Sequence, residues 1–188
     1  MCLITTFVNA MSAETIRRPQ RLKAPLYPYD EKEARLAWEQ WGCNCGPSAL
    51  ATMLGLKLDD VHHHIPYFDE RRYTSPTMMK DALVSLGVKF TPKVTLPGSK
   101  LFTIYGLCRT QWEGPWTKPG VNPKWAYRQT HWVGAMLWEA WNETYIFDVN
   151  SGWSDAKNWA SETVPLLTKE TPRATGDWFV THRWELHL

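Results

Sequence analysis

The sequence lacks a strong excess of either charge, long apolar runs and internal repeats. Its 21 Lys and Arg residues nearly balance 19 Asp and Glu residues, which gives a formal net charge of +2 over 188 residues. This balance argues against a protein whose main partner is a nucleic-acid backbone. No segment approaches the roughly 18 consecutive apolar residues that a membrane-spanning helix needs. We therefore expect neither nucleic acid nor a membrane as a partner.

Cysteine is also scarce. The four cysteines are Cys2, Cys43, Cys45 and Cys108. They include no CxxC pair, and their spacing is too irregular for a disulfide framework. We therefore expect free thiols in a reducing, cytoplasmic compartment.

The beginning of the chain carries no convincing targeting signal. Residues 1–13 lack the basic leader of a secretory signal, and Met11 is an alternative initiator. Residues 1–24, with a basic run at 17–23, are predicted to form a flexible arm. Delivery into a target cell as an effector is the alternative to a cytoplasmic location.

Tryptophan is unusually abundant, with 12 residues. Hydrophobic residues make up 44% of the chain and charged residues 21%, as in ordinary globular proteins. Because the length suits one domain and no linker interrupts it, a single domain is predicted over 25–188. Its tryptophans are expected to fill a core or line a cleft.

Capping residues, first-turn prolines and stop glycines predict three early helices, over residues 30–40, 46–55 and 75–87. In the first of them, Glu33 follows the N-cap Asp30 at the spacing of a capping box. Strands are predicted afterwards, at residues 88–90, 103–112, 130–138, 144–149 and 177–186. This order predicts an α+β fold with N-terminal helices packed on a mostly antiparallel sheet.

The end of the chain carries two further predictions. A last helix is expected over 155–167, capped by Ser154 and disturbed by Pro165. In the final strand, the apolar residues at alternate positions are expected to face one side of the sheet. These residues are Trp178, Val180, Trp184 and Leu186.

The segment around Cys45 carries the strongest chemical signal. A thiol at a helix N-terminus is stabilised as thiolate by the helix macrodipole, and Gly46 beside it lets a substrate backbone approach the sulfur. Such a nucleophile needs a base, and His131 begins a strand predicted to be central. Asp148 on the next strand is placed to orient the imidazole. Asn150 is the alternative orienting residue, since it points to the same face.

The motifs around these residues resemble the papain-like cysteine peptidases, and most closely their compact C39-like branch. They are Cys45-Gly46-Pro47, Thr130-His131-Trp132-Val133 and Phe147-Asp148-Val149-Asn150. By the pattern of that family, Cys45 is the nucleophile, His131 the general base and acid, and Asp148 the orienting group. Gln40 matches the glutamine whose side chain, together with the Cys45 backbone N–H, stabilises the oxyanion.

The resemblance implies a single papain-like domain that acts as a thiol hydrolase. It would cleave peptide or amide bonds of a peptide or protein substrate through an acyl-enzyme on Cys45, as a monomer without a cofactor. Acyl transfer and deamidation stay open, because they differ only in what intercepts the thioester. A catalytically silent binding module is the competing class. It is favoured by the spacing of Gln40 and Cys45, which is one residue shorter than the family pattern.

Aromatic residues in the loops and strand ends near the proposed site suggest a peptide-binding wall. Trp116, Trp125 and Trp132 are the candidates, with Gly46 opening the approach to the sulfur. Core packing is the alternative for each tryptophan. The consecutive histidines at 62–64 point in different directions on a helix, so no metal site is predicted there.

Overall fold

A six-stranded antiparallel sheet forms the centre of the fold, and the longer helices precede it in the chain. The computed structural model describes residues 30–138 and 142–188. The predicted arm at 1–24 lies outside the described residues. The α+β class and the single domain are confirmed. Within the two described ranges, no helix has the length and apolar character needed to cross a membrane.

The helices are α1 (Glu31–Trp41), α2 (Cys45–Leu54), α3 (Leu58–His62), α4 (Phe68–Arg71), α5 (Pro76–Ser85), α6 (Pro123–Ala126), α7 (Ala156–Asn158) and α8 (Val164–Lys169). A 3-10 turn forms at Pro115–Thr117 and a π-helical turn at Trp159–Thr163. The three predicted early helices correspond to α1, α2 and α5. The short helices α3, α4 and α6 were not predicted, because one turn is too short to show a helical period.

The strands are β1 (Lys89–Lys93), β2 (Tyr105–Trp112), β3 (Thr130–Trp138), β4 (Glu143–Asp148), β5 (Gly152–Asp155) and β6 (Trp178–His187). Their order in the sheet is β1-β6-β2-β3-β4-β5, and every pair is antiparallel. β3 lies between β2 and β4, as predicted for a central strand. β5 was not predicted, because its four residues alternate too briefly to be recognised.

Local capping fixes the ends of α1. The side chain of Asp30 accepts hydrogen bonds from the backbone N–H groups of Lys32 and Glu33, at 2.8 and 3.2 Å. Glu33 Oε1 accepts from the Leu58 N–H at 3.1 Å, which ties α1 to α3. The helix ends at Gly42, whose φ of +69° is the left-handed conformation that suits glycine.

The sheet separates two cores. The helix-side core includes Leu50, Met53, Met79, Leu83, Leu107, Trp132 and Trp184. The tryptophan-side core includes Trp112, Trp116, Trp159, Trp178, Cys108, Val133 and Ile146. The consecutive residues Leu107 and Cys108 enter different cores because neighbouring side chains on a strand point to opposite faces.

The prediction of one apolar face along the last strand is wrong. Trp178 and Val180 belong to the tryptophan-side core, whereas Trp184 and Leu186 belong to the helix-side core. The register between β2 and β6 skips Thr181, so this residue is an extra one in β6. A β-bulge of one residue inverts the alternation of the side chains beyond it.

The prediction of Ser154 as a helix cap is also wrong. Ser154 lies in β5, and Asp155 is the N-cap, accepting from the N–H groups of Lys157 and Asn158 at 3.0 and 2.9 Å. Pro165 lies in the first turn of α8, where a missing N–H costs little. The predicted single helix is therefore a chain of α7, a π-helical turn and α8.

Candidate active site

The N-terminus of α2 carries Cys45 as its first residue. Pro47 occupies the first turn, where its missing N–H breaks no helical hydrogen bond, and Gly55 ends the helix with a φ of +68°. Cys45 is buried, with 3% of its surface exposed. The residue therefore lies at the positive end of a ten-residue helix, as predicted.

The expectation that all cysteines are free thiols is met by some of them and not by others. Cys45 is disulfide-bonded, and that expectation is wrong for this residue, because pairing cannot be deduced from spacing. Cys43 and Cys108 are free. Burial raises the pKa of Cys43 to about 11 and the pKa of Cys108 to about 12. Both thiols are protonated at neutral pH, so neither is an activated nucleophile.

Gly46 is packed tightly on one side. A Cβ at Gly46 would lie 2.3 Å from Oγ1 of Thr74, so the absence of a side chain is used for packing within the protein. The carbonyl of Thr74 accepts from the Trp132 indole N–H at 3.3 Å. Trp132 and Cys45 share the helix-side core. The predicted substrate-binding roles of Gly46 and Trp132 stay predictions.

The structure brings His131 and Asp148 together. Nε2 of His131 lies 3.0 Å from Oδ2 of Asp148, and the two residues are only 4% and 0% exposed. The register pairs Gly134 of β3 with Phe147 of β4, which makes His131 and Asp148 diagonal neighbours across the two strands. The predicted contact is present, and the catalytic roles of the two residues stay predictions.

Asp148 accepts several hydrogen bonds besides the contact with His131. Its Oδ1 accepts from the backbone N–H and the side-chain amide of Asn150, each at 2.9 Å. Its Oδ2 accepts from the indole N–H of Trp159 at 2.8 Å. Burial opposes ionisation, but the interactions with His131, Asn150 and Trp159 outweigh it and hold the pKa of Asp148 below its usual range. The buried carboxylate is therefore charged at neutral pH.

Two of these findings bear on the sequence predictions. Asn150, the alternative orienting residue, bonds to the carboxylate of Asp148 and so supports it. Trp159 was not among the predicted site residues. It lies eleven residues after Asp148, in a π-helical turn, and nothing local distinguishes it from the other tryptophans.

The contacts of His131 suit a general base. A neutral imidazole that donates its Nε2–H to Asp148 carries its basic lone pair on Nδ1. Trp112 stacks on the ring with centroids 5.9 Å apart and planes 23° apart. The carboxylate and the indole together fix the tautomer and the orientation of the ring, which general-base catalysis requires.

The side chains of Cys45 and His131 lie on different sides of the sheet. His131 stacks on Trp112 of the tryptophan-side core, whereas Cys45 and Trp132 belong to the helix-side core. His131 and Trp132 are consecutive, so their side chains leave opposite faces of β3. The Cys45 sulfur and the His131 ring would therefore have to meet beyond the end of β3, and this contact stays a prediction.

Gln40 lies on the last turn of α1 and is exposed. It borders a cavity of about 210 Å³ together with Trp41, Phe68, Asp69 and Arg72. None of these four neighbours is a predicted site residue. The proposed role of Gln40 at the oxyanion stays a prediction.

The tryptophans proposed as a peptide-binding wall are placed differently. Trp116 is buried, and its indole N–H donates to the Trp112 carbonyl at 2.7 Å. Trp125 on α6 is 59% exposed, with the guanidinium of Arg128 5.7 Å from its ring centroid. Of the three candidates, Trp125 alone presents its ring to solvent, since Trp132 is also buried.

The three consecutive histidines have separate surroundings. His62 stacks on Trp41 with ring centroids 4.3 Å apart, and its Nε2 lies 2.8 Å from Asp69 Oδ1. Nδ1 of His64 lies 2.8 Å from the hydroxyl of Ser85. In the described parts of the chain, no group of three His, Cys, Asp or Glu side chains is arranged to hold a metal ion.

Comparisons of the chain with protein-family models, curated proteins and solved structures find no match. Two features define the candidate site. They are a cysteine-headed helix on one side of an antiparallel sheet and a buried His–Asp pair on its central strands.

Proposed function

We propose that this chain is a papain-like thiol hydrolase that cleaves peptide or amide bonds through an acyl-enzyme on Cys45. The observation that carries the proposal is the buried pair of His131 and Asp148, joined at 3.0 Å. An ionised carboxylate that is fully buried is costly unless it has strong partners. Asp148 has such partners, and its Oδ2 contacts the imidazole of His131 as well as the indole of Trp159. Contact with the imidazole is what an orienting group requires.

The proposed reaction has three steps: attack by the thiol, collapse to a thioester, and hydrolysis of that thioester. The sulfur of reduced Cys45 attacks the substrate carbonyl while Nδ1 of His131 accepts the thiol proton. The tetrahedral oxyanion collapses to a thioester, and His131 returns the proton to the departing amine. Water then attacks the thioester with His131 as base, which releases the carboxylic acid and restores the thiol.

The position of Cys45 favours this role once its disulfide is reduced. The first backbone N–H groups of a helix have no partners within the helix, and the macrodipole stabilises negative charge there. The backbone N–H of Cys45 and the side chain of Gln40 are the proposed donors to the oxyanion. Because a disulfide-bonded sulfur cannot act as a thiolate, activity is expected only in the presence of a reductant.

A binding module without turnover is the second candidate. It is favoured by the placement of Gln40 beside the cavity at Trp41 and Phe68, and by the different cores that Cys45 and His131 adjoin. Acyl transfer or deamidation by the same residues is a further form of the first proposal, since only the acceptor of the acyl group changes.

Proteome-wide profiling of new protein N-termini tests the proposal. A cell lysate is incubated with reductant and either the wild-type protein, Cys45→Ala or the matched control Cys43→Ala. We expect the same new termini with wild type and Cys43→Ala, and none of them with Cys45→Ala. Equal cleavage by Cys45→Ala would exclude Cys45 as the nucleophile. No cleavage by folded, reduced wild type would favour the binding module.

A further inference from the structure

Arg109 on β2 is a buried cation whose hydrogen-bond partners among the described residues are neutral. The residue is 3% exposed. Its Nη2 donates to the hydroxyl of Thr130 at 3.0 Å, and its Nη1 donates to the hydroxyl of Thr181 at 3.5 Å. These two hydroxyls are dipoles without charge, so they leave the positive charge of the guanidinium uncompensated.

A counter-ion for Arg109 is missing from the protein as described. Across residues 30–138 and 142–188, no carboxylate forms an ion pair with it. Its Nε is buried and has no hydrogen-bond partner within the same ranges. Burial lowers the pKa of Arg109 to about 10, yet the group is still charged at neutral pH. An unpaired buried charge is costly, and a bound anion would remove that cost.

The neighbours of Arg109 restrict how an anion can approach. The ring of Tyr127 covers one face of the guanidinium, 4.9 Å from Cζ to the ring centroid. The open hydrogen-bonding capacity therefore lies in the plane of the group, at Nε–H and a terminal N–H. A carboxylate matches this geometry because its two oxygens accept two parallel N–H bonds.

The charge of the site suits a ligand that carries a single negative charge. His182 is the partner of Arg109 in the β2–β6 register. Burial and the charge of Arg109 lower the pKa of His182 to about 4, so the imidazole is neutral at pH 7. One cation with neutral neighbours favours a carboxylate over a phosphate, which carries more charge and binds best among several cations.

We propose that Arg109 recognises a carboxylate of an acidic peptide, through Nε–H and a terminal N–H, on the helix side of the sheet. The peptide nature of the ligand rests on the proposed function. Arg109 pairs with Trp132 in the β2–β3 register, and Trp132 shares the helix-side core with Cys45. Arg109 and Cys45 therefore lie on the same side of the sheet.

Access to Arg109 requires movement of Tyr127. This tyrosine is 55% exposed, and exposed side chains change rotamer within nanoseconds. Turning the ring away would uncover the face of the guanidinium that it covers, without moving a strand. Removing the ring in Tyr127→Ala should therefore leave carboxylate binding at least as tight as in wild type.

Solution NMR of the full chain with labelled arginine side chains tests the site. The protein is titrated with N-acetylglycine, with its uncharged amide and with inorganic phosphate. We expect a saturable shift of the Arg109 Nε–H resonance with N-acetylglycine and none with the amide. Binding by the variants is followed on the NMR signals of N-acetylglycine itself, because Arg109→Gln lacks the Nε–H. Arg109→Gln should weaken binding at least about tenfold, as loss of a charge-assisted pair does, while the surface control Arg128→Gln should bind as wild type.

Three outcomes would overturn the proposal. They are an equal response to the acid and the amide, tighter binding of phosphate than of N-acetylglycine, and unchanged binding by Arg109→Gln. The wild-type titrations decide even where Arg109→Gln fails to fold. Because binding is measured without turnover, a negative result leaves the chemistry of Cys45 untouched. Loss of cleavage would likewise leave this carboxylate site standing.

Discussion

The two cores on either side of the sheet are built by different means. The helix-side core packs α2 closely on β3, and a Cβ at Gly134 would lie 2.6 Å from Sδ of Met53. The tryptophan-side core uses indoles that also donate hydrogen bonds, as Trp116 does to the Trp112 carbonyl and Trp159 to Asp148. Close packing brings a helix terminus to the sheet, whereas an indole donor helps a charged carboxylate to be buried.

One strand serves both cores. Trp178 of β6 packs on the tryptophan side, and Trp184 packs on the helix side because Thr181 is an extra residue between them. The two halves of β6 therefore reach different cores because of a single bulge. Changes at this position should disturb the packing of both cores most severely.

Deletion of Thr181 is expected to have the largest effect on stability. Without the bulge, Trp184 and Leu186 would turn away from the helix-side core, since a slip of one residue exchanges the faces of a strand. We expect loss of cooperative unfolding in a urea titration followed by tryptophan fluorescence. The matched control Thr181→Ala keeps the residue count and should cost about 1–3 kcal/mol, because its hydroxyl accepts from the Arg109 guanidinium and donates to the Arg109 carbonyl. It should keep a cooperative transition. A cooperative, wild-type transition in the deletion would show that the bulge does not set the faces.

Trp159→Ala should be the next most harmful change, because it removes a fully buried ring and a donor to Asp148. Loss of such a ring costs about 3–5 kcal/mol of unfolding free energy. Trp159→Phe keeps an aromatic ring and loses the donor, so it should cost about 1–3 kcal/mol. A loss near zero in Trp159→Phe, measured by urea unfolding, would show that the hydrogen bond to Asp148 contributes little.

Asp148→Asn tests the buried charge itself. The pKa of Asp148 is lowered by folding, so its stabilisation is present above the unfolded value of about 3.9 and is lost as pH falls through the folded pKa. We expect the difference in unfolding free energy between wild type and Asp148→Asn to shrink as the pH is lowered below about 4. A difference that does not change with pH would contradict the lowered pKa.

His182→Gln should give the smallest effect, on the helix side of the sheet. Folding lowers the pKa of His182 from 6.5 to about 4, so the wild type loses stability as pH falls from 6.5 towards 4. The variant should lack this part of the loss. The effect is small because the ring is partly exposed and solvent screens its charge. Identical pH profiles of unfolding free energy in wild type and His182→Gln would show that burial and the charge of Arg109 do not lower the pKa of His182.

Much of the fold follows from local sequence signals. Asp30, Ser75 and the glycines at 42 and 55 act over a few residues, so capping rules locate α1, α2 and α5. The bulge at Thr181 depends on pairing with β2, more than 70 residues earlier in the chain, and no pattern inside β6 announces it. The same holds for the disulfide of Cys45, since pairing is decided in space.

The site was predictable to a similar extent. His131 and Asp148 occupy neighbouring strands of one hairpin, so their contact follows from alternation and register. The donors that hold Asp148 ionised are less accessible to sequence reasoning. Trp159 reaches the carboxylate from a π-helical turn, and the hydroxyl partners of Arg109 come from two different strands.

The most direct test asks whether the thiol on one side of the sheet responds to the pair on the other. After reduction, the rate of alkylation of Cys45 by iodoacetamide is measured against pH in wild type and in His131→Ala. We predict an apparent pKa well below about 8.5 in wild type, a clear rise in His131→Ala, and no labelling of native Cys43 or Cys108. A profile unchanged by His131→Ala, or Cys45 labelling no faster than these two buried thiols, would contradict the account.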